Sequence, residues 1–253
     1  MADFYQTGIV ATLHRLRQDG APRIEHDLNR ISKRVGIALV LPALFREFES
    51  PSMPRIAGEL RQVQYLRRIV LVLGDGGPAE LEKARAFFED FPCLVDVLWM
   101  NADPVRKLFE LLKSKNLSVG ENGKGRSCWM AYGYILAQGD CGVIALHDCD
   151  ITNYDRKLLA RLVYPVANSN LGFEFSKGFY ARVTDRMHGR VTRLFMTPLI
   201  RAMESMAPSA PFLRFLDSFR YALSGEFAMN VNLARVNRIP WDWGLEVGML
   251  AEV

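Results

Sequence analysis

An α/β protein built on a mainly parallel sheet flanked by helices is the fold class that three features of the sequence predict. Short apolar runs alternate with stretches of helical spacing over the first two-thirds of the chain. The runs are apolar throughout, as strands buried on both faces must be. Several of them end in proline, glycine or carboxylates, which is where ligands collect in open parallel sheets.

The elements follow in order. VGIALVLPAL (35–44) is a buried strand that gives way to a loop at Pro42, and PRIAGELRQVQYL (54–66) has helical spacing. RIVLVLGDGG (68–77) is a second buried strand with a glycine-rich exit. PAELEKARAFFEDF (78–91) opens with proline and early acids, as a helix start does. LVDVLWM (94–100) is a third strand and DPVRKLFELLKSK (103–115) a helix. GKGRSCWMAYGYILAQG (123–139) reads as a loop opening into a helix, GVIALHDCD (142–150) as a fourth strand and YDRKLLARLVYPV (154–166) as a helix. The last third changes character. FEFSKGFYARVT (173–184) is strand-like, and GRVTRLFMTPLIRAMESM (189–206) is a basic amphipathic helix. YALSGEFAMN (221–230) and WDWGLEVGMLAEV (241–253) complete a part expected to face an acceptor.

Composition narrows the function. The 253 residues, 49% hydrophobic, suffice for one substantial core, and a formal charge of +4 suits a small anionic substrate better than a nucleic-acid surface. Cys93, Cys128, Cys141 and Cys149 show no CxxC or zinc spacing and read as reduced thiols of a cytoplasmic protein. No apolar run reaches the ~20 residues of a membrane span, and the opening MADFYQTG lacks a signal-peptide pattern.

Five stretches carry candidate chemistry. Asp148 and Asp150 are one residue apart after a buried strand. If the chain stays extended there, both side chains project to one side and can hold a hard divalent cation on a diphosphate. The plainer alternative makes Asp150 the cap of the next helix. Lys124, between glycines before a helix, can reach a phosphate or sugar, or sit in a flexible turn; the spacing is not that of a Walker A loop. Gly189, Arg190 and Thr192 stand at a helix start where Arg190 can bind a carboxylate or phosphate bidentately, or simply be exposed. Glu226 is a single acid in an apolar stretch, fit to accept sugar hydroxyls or to pair with an arginine. Trp241 and Trp243, beside Asp242 and Glu246, could stack on a sugar or belong to the core. His147 is expected to point away from the two aspartates, because side chains alternate along a strand.

Six motifs in this order and spacing, LPAL (41–44), GKG (123–125), HDCDI (147–151), KGFYARVTDRMHGRVTRL (177–194), LSGEFAM (223–229) and WGLEVGML (243–250), resemble the retaining GT-A glycosyltransferases of family 81. That family comprises the glucosyl-3-phosphoglycerate synthases and their mannosyl relatives. The resemblance implies a GT-A fold with a Rossmann-like nucleotide-sugar part over 1–170 and an acceptor part over 171–253. It implies a divalent metal, Mg²⁺ or Mn²⁺, held by Asp150 and Asp148. It places Leu41, Pro42, Ala43, Leu44, Glu47, Lys124, Cys149 and Glu226 with those aspartates around a UDP or GDP sugar, and Gly189, Arg190, Val191 and Thr192 around 3-phosphoglycerate. Asp150, Glu226 and Arg190 are the implied catalytic residues, with glucose transferred under retention and a homodimer as the usual assembly. A mannose donor, another acceptor, or nucleotide-sugar binding without turnover remain the alternatives. Two departures bear on these expectations. The first loop reads PALFRE where relatives have PAL-x-E-E, so Arg46 replaces an acid. Relatives also run on to a basic residue and a histidine that complete the metal site, whereas this sequence ends at Val253, so the second part is expected to be truncated.

Overall fold

A computed structural model describes residues 10–14, 20–179, 189–242 and 244–253. Four parallel strands form the body of the sheet: β1 (Ile37–Ala43), β2 (Arg68–Leu73), β3 (Leu94–Trp99) and β4 (Val143–Leu146). Two short strands, β5 (Phe175–Lys177) and β6 (Phe227–Asn230), extend it, giving the order β3-β2-β1-β4-β6-β5. β6 runs antiparallel to both β4 and β5. The predicted strands are all present. Of the stretch 173–184, however, only Phe175–Lys177 pairs in the sheet, and residues 180–184 lie outside the described residues.

Helices α1 (Gly20–Ile31), α2 (Ser52–Leu60), α3 (Pro78–Phe87) and α6 (Arg156–Ala167) cover one face. Helices α4 (Asp103–Ser114), α5 (Lys124–Gln138), α9 (Val231–Val236) and α10 (Leu245–Glu252) cover the other. The alternation of the pleat explains why the strands are apolar throughout. Leu39, Leu41 and Ala43 of β1 join the first core, while Ala38 and Val40 join the second. A third cluster joins α7 (Thr197–Met206) and α8 (Pro211–Asp217) to Leu250 of α10. A π-helical turn, Thr192–Met196, leads into α7.

One helix is shorter than its spacing suggests. The stretch 54–66 was expected to be helical to its end, but α2 stops at Leu60. Val63, Tyr65 and Leu66 are buried from the connection that follows. Their spacing reflects a loop pressed into the core, and burial alone does not distinguish that from a helix face.

The topology fixes where a ligand can bind. The chain moves from β1 outward to β2 and β3, then returns through α4 and α5 to place β4 on the other side of β1. The carboxyl ends of β1 and β4 therefore flank a switch point, the crevice in which open α/β sheets take ligands. Because β6 is antiparallel to β4, with Leu146 opposite Phe227, the turn before β6 arrives at that same end. Lys177, opposite Phe227 on β5, arrives there too.

The opposite end of the sheet is closed by charge. Arg68, 4% exposed, donates to Asp96 on β3 at 2.5 Å and to Asp140 before β4 at 2.6 Å. The hydrogen bond from Arg68 holds the Asp140 carboxyl below the usual carboxylate range. Its contribution to stability is therefore present above the unfolded value of 3.8 and is lost as pH falls through the lower folded value. Breaking a buried pair from one side costs about 3–5 kcal/mol, and less where the carboxylates keep some solvent, as these do. Arg68→Met is expected to lower the unfolding free energy by about 2 kcal/mol and to flatten its decline below pH 4. Urea titrations at neutral and acid pH check both.

Candidate active site

Lys124 stands at the first turn of α5, with Gly123 before it in an extended conformation. Its Nζ lies 2.6 Å from Asp148 Oδ1 and 2.7 Å from Glu246 Oε1. Burial opposes the charge on this ammonium, but the two carboxylates outweigh it and hold the lysine above its usual range. The turn that carries Glu226 presses on the same group. A Cβ on Gly225 would stand 2.2 Å from Asp148 Oδ2 and 2.9 Å from Lys124 Nζ, so glycine lets this backbone come close without displacing either side chain.

Glu226 is 1% exposed, and its Oε2 accepts from Ser224 Oγ at 2.8 Å. Its carbonyl accepts from the Gly178 N–H at 2.8 Å. Lys177 braces the same turn, donating to the Ser224 carbonyl at 2.7 Å with its ammonium 5.5 Å from the centre of the Phe227 ring. Desolvation brings Lys177 down to about 8.

Across the crevice, β1 ends in a 3-10 turn, Phe45–Glu49. Glu47 Oε2 accepts from the Leu44 N–H at 3.1 Å, and Asp75 Oδ1 accepts from the Phe45 N–H at 2.7 Å. The Gly74 carbonyl accepts from Asn122 at 2.8 Å, which ties in the loop before α5. Burial raises the Glu47 carboxyl, and the nearby charges of Asp150 and Asp148 raise it further. The three strand-end features of the sequence, the Pro42–Glu47 loop, the Gly74–Gly77 loop and Asp148–Asp150, thus meet at one crevice.

Several expectations need correction. β4 ends at Leu146 and the chain turns at Cys149 and Asp150, so the two aspartates are not presented by an extended strand. Asp148 reaches back to Lys124, while Asp150 is exposed. Asp150 does not cap the following helix; Asp155 does, accepting from the Lys157 N–H. Cys149 is 2% exposed and packs in the first core, as does Leu41 at 0%, so both side chains serve the core. Pro42 and Leu44 are the more accessible residues of LPAL, with Ala43 buried. His147 does point away: it is buried against Tyr154, 3.0 Å from the hydroxyl to Nδ1, and desolvation pushes it down to about 3.

Gly189, Arg190 and Val191 are exposed and Thr192 half-buried at the start of the helical run before α7. Among the described residues no hydrogen bond or ion pair joins them to the Asp148 side. His188 and Trp243 lie outside the described residues. Trp241 is 41% exposed, and its carbonyl accepts from the Arg126 N–H at 3.1 Å. Sequence reasoning gave no role to Glu246 or Lys177. Glu246 is a lone acid in the apolar run LEVGML, the signal that singled out Glu226, and could have been found in the same way.

No protein-family model matches the chain. The sequence is 49% identical to glucosyl-3-phosphoglycerate synthase of Persephonella marina over 253 residues, all of this chain and 63% of that protein. It is 36% identical to the synthase of the same name from Methanococcoides burtonii, over 99% of this chain and 62% of that one. The chain therefore spans less than two-thirds of the length of the curated relatives it matches. Among solved structures, glucosyl-3-phosphoglycerate synthase of Mycobacterium tuberculosis in complex with Mn²⁺, uridine diphosphate and glucosyl-3-phosphoglycerate superimposes with a TM-score of 0.66. The match covers 94% of this chain and 70% of that one at 21% identity. The chain has a GT-A fold. The motifs GKG, HDCDI and LSGEFAM gather at the crevice between β1 and β4.

Two glycines of this GT-A site face different obstacles. A Cβ on Gly225 meets side-chain ends, which can move, whereas one on Gly125 meets the Pro240 carbonyl oxygen at 2.3 Å and the backbone of Trp241 at 2.5 Å. Overpacking costs about 1–3 kcal/mol. Gly125→Ala is expected near the top of that range and Gly225→Ala near the bottom, the order being read by urea unfolding of both variants.

Proposed function

We propose that this chain carries the donor and acceptor sites of a metal-dependent retaining glucosyltransferase. It would move glucose from UDP-glucose or GDP-glucose to 3-phosphoglycerate and give glucosyl-3-phosphoglycerate. The observation that carries the reading is the meeting of GKG, HDCDI and LSGEFAM, distant in sequence, around the Lys124 ammonium at the switch point of the sheet. The names of the relatives support it, as does a fold neighbour solved with Mn²⁺, UDP-glucose and phosphoglyceric acid. Four free cysteines accord with a reducing compartment such as the cytoplasm.

The residues fit a divalent cation that takes most of its ligands from elsewhere. Among the described residues no three His, Cys, Asp or Glu side chains form a ready cage. Asp150 is exposed, and Asp148 is half-buried, with Oδ1 on Lys124 and Oδ2 against Gly225. Magnesium is commonly held by one or two carboxylates with phosphate oxygens and water completing the shell. Such an ion, when bound, neutralises the diphosphate and stabilises the charge that grows on it as the sugar departs.

The chain's own groups supply the rest. Lys124 holds Asp148 in place and adds a fixed positive charge beside the diphosphate. Glu226, buried and oriented by Ser224, accepts from hydroxyls of the donor sugar. Buried and already hydrogen-bonded, this carboxylate needs little rearrangement on binding, so its interactions are preorganised. Arg190, exposed at the helix start, takes the carboxylate or phosphate of the acceptor. Retention requires the acceptor hydroxyl to approach the sugar on the face the diphosphate leaves, and that oxyanion is then the nearest base for the hydroxyl proton. His147 takes no part in proton transfer, because burial keeps it neutral and remote from solvent.

The test is transfer itself. With 3-phosphoglycerate, each nucleotide glucose, and Mg²⁺ or EDTA, a glucosylated phosphoglycerate is expected with metal alone and is expected to fall at least ~100-fold in Asp150→Asn. Metal-dependent nucleotide binding with no product would favour a binding part whose turnover needs more chain than these 253 residues. Absence of both would overturn the reading.

A further inference from the structure

Glu246 has a place in this site that the motif comparison does not give it. It stands on the first turn of α10, and its side chain is 17% exposed. The helix is fixed by Leu245 and Met249, both buried in the second core, and by Gly248 packed on the Pro240 ring. The preceding segment is pinned to the start of α5 through the Arg126 N–H and the Trp241 carbonyl. Glu246 is thus delivered by a rigid element to a point 2.7 Å from Lys124 Nζ.

A second lysine senses its charge. Of the charged groups that act on Lys177, Glu246 acts most, ahead of Lys124, Glu226 and Asp148. Lys177 and Lys124 repel each other, and both have lost solvent. A carboxylate that acts on both offsets their repulsion. Asp148 and Glu246 both touch Lys124 and both act on Lys177, Glu246 the more strongly.

We propose that Glu246 is a positioning residue of the donor site: held on α10 against Lys124, it shares that ammonium with Asp148 and so leaves Asp148 able to serve a metal-bound diphosphate. The inference rests on the reading of this crevice as the nucleotide-sugar site. Without the Glu246 charge, Lys124 has Asp148 as its one close carboxylate. The lysine then competes with a metal ion for Asp148, while the surplus positive charge favours a bare diphosphate. The signature is a change in how binding depends on metal, which a purely structural role for Glu246 would not produce.

Isothermal titration of the full chain with UDP, in Mn²⁺ and in EDTA, measures that dependence without turnover, and a thermal melt monitors folding. In the parent chain Mn²⁺ is expected to tighten UDP binding. In Glu246→Gln that gain is expected to shrink at least tenfold, with weaker binding in Mn²⁺ and equal or tighter binding in EDTA. Glu246→Asp, which keeps the charge on a shorter arm, is expected to fall between the two, and it carries the test if the glutamine variant does not fold. A parental Mn²⁺ gain in the folded variants overturns the inference and leaves the functional reading standing. Failure of the parent chain to bind UDP under either condition overturns both.

Discussion

The contact on which the rest of the site depends is the one between the Lys124 ammonium and two carboxylates that reach it from opposite directions. Asp148 comes from the end of a central strand and Glu246 from the last helix, and the Ser224–Glu226 turn closes over the pair. A lysine with a third of its side chain exposed would ordinarily add little to stability through a single ion pair. With two partners and a backbone wall it becomes a fixed point. Its position fixes where Asp148 points, how close the glycine of LSGEFAM can come and where α10 must dock.

The two ends of the sheet divide the work. At the amino end, Arg68 satisfies two carboxylates and draws β2, β3 and the approach to β4 together, which serves the fold. At the carboxyl end, Glu47, Asp148, Asp150, Glu226 and Glu246 gather around Lys124 and Lys177. These five carboxylates outnumber the two lysines, and burial first, then the charges of Asp150 and Asp148, raise the Glu47 carboxyl. Such a surplus is costly to a fold and useful to a site that receives a cation together with an anionic ligand.

Much of this was legible in the sequence, because burial on both faces of a parallel sheet leaves an unmistakable apolar run. The four main strands and the helices between them could be read that way, and strand ends marked by Pro42, Gly74 and Asp148 pointed to one crevice. What failed had local causes. The aspartates were read as lying on an extended strand because the apolar run gives no sign that the chain turns at Cys149. Motif membership grouped Leu41 and Cys149 with the ligand-binding residues, and in the structure both side chains pack in the core. Glu246 and Lys177 stayed hidden because each acquires meaning from a neighbour distant in sequence, 122 residues away for the Glu246–Lys124 contact. Gly189 to Thr192, which the motifs suggest for the acceptor, follow a stretch, 180–188, outside the described residues.

The most direct measurement is a crystal structure of the chain grown with UDP and Mn²⁺. The diphosphate is expected between the ends of β1 and β4, with the metal on Asp150 and Asp148 and with Lys124 still held by Glu246. Nucleotide bound at any other edge of the sheet, or a Lys124 that has left Glu246 while nucleotide occupies the crevice, would contradict the account.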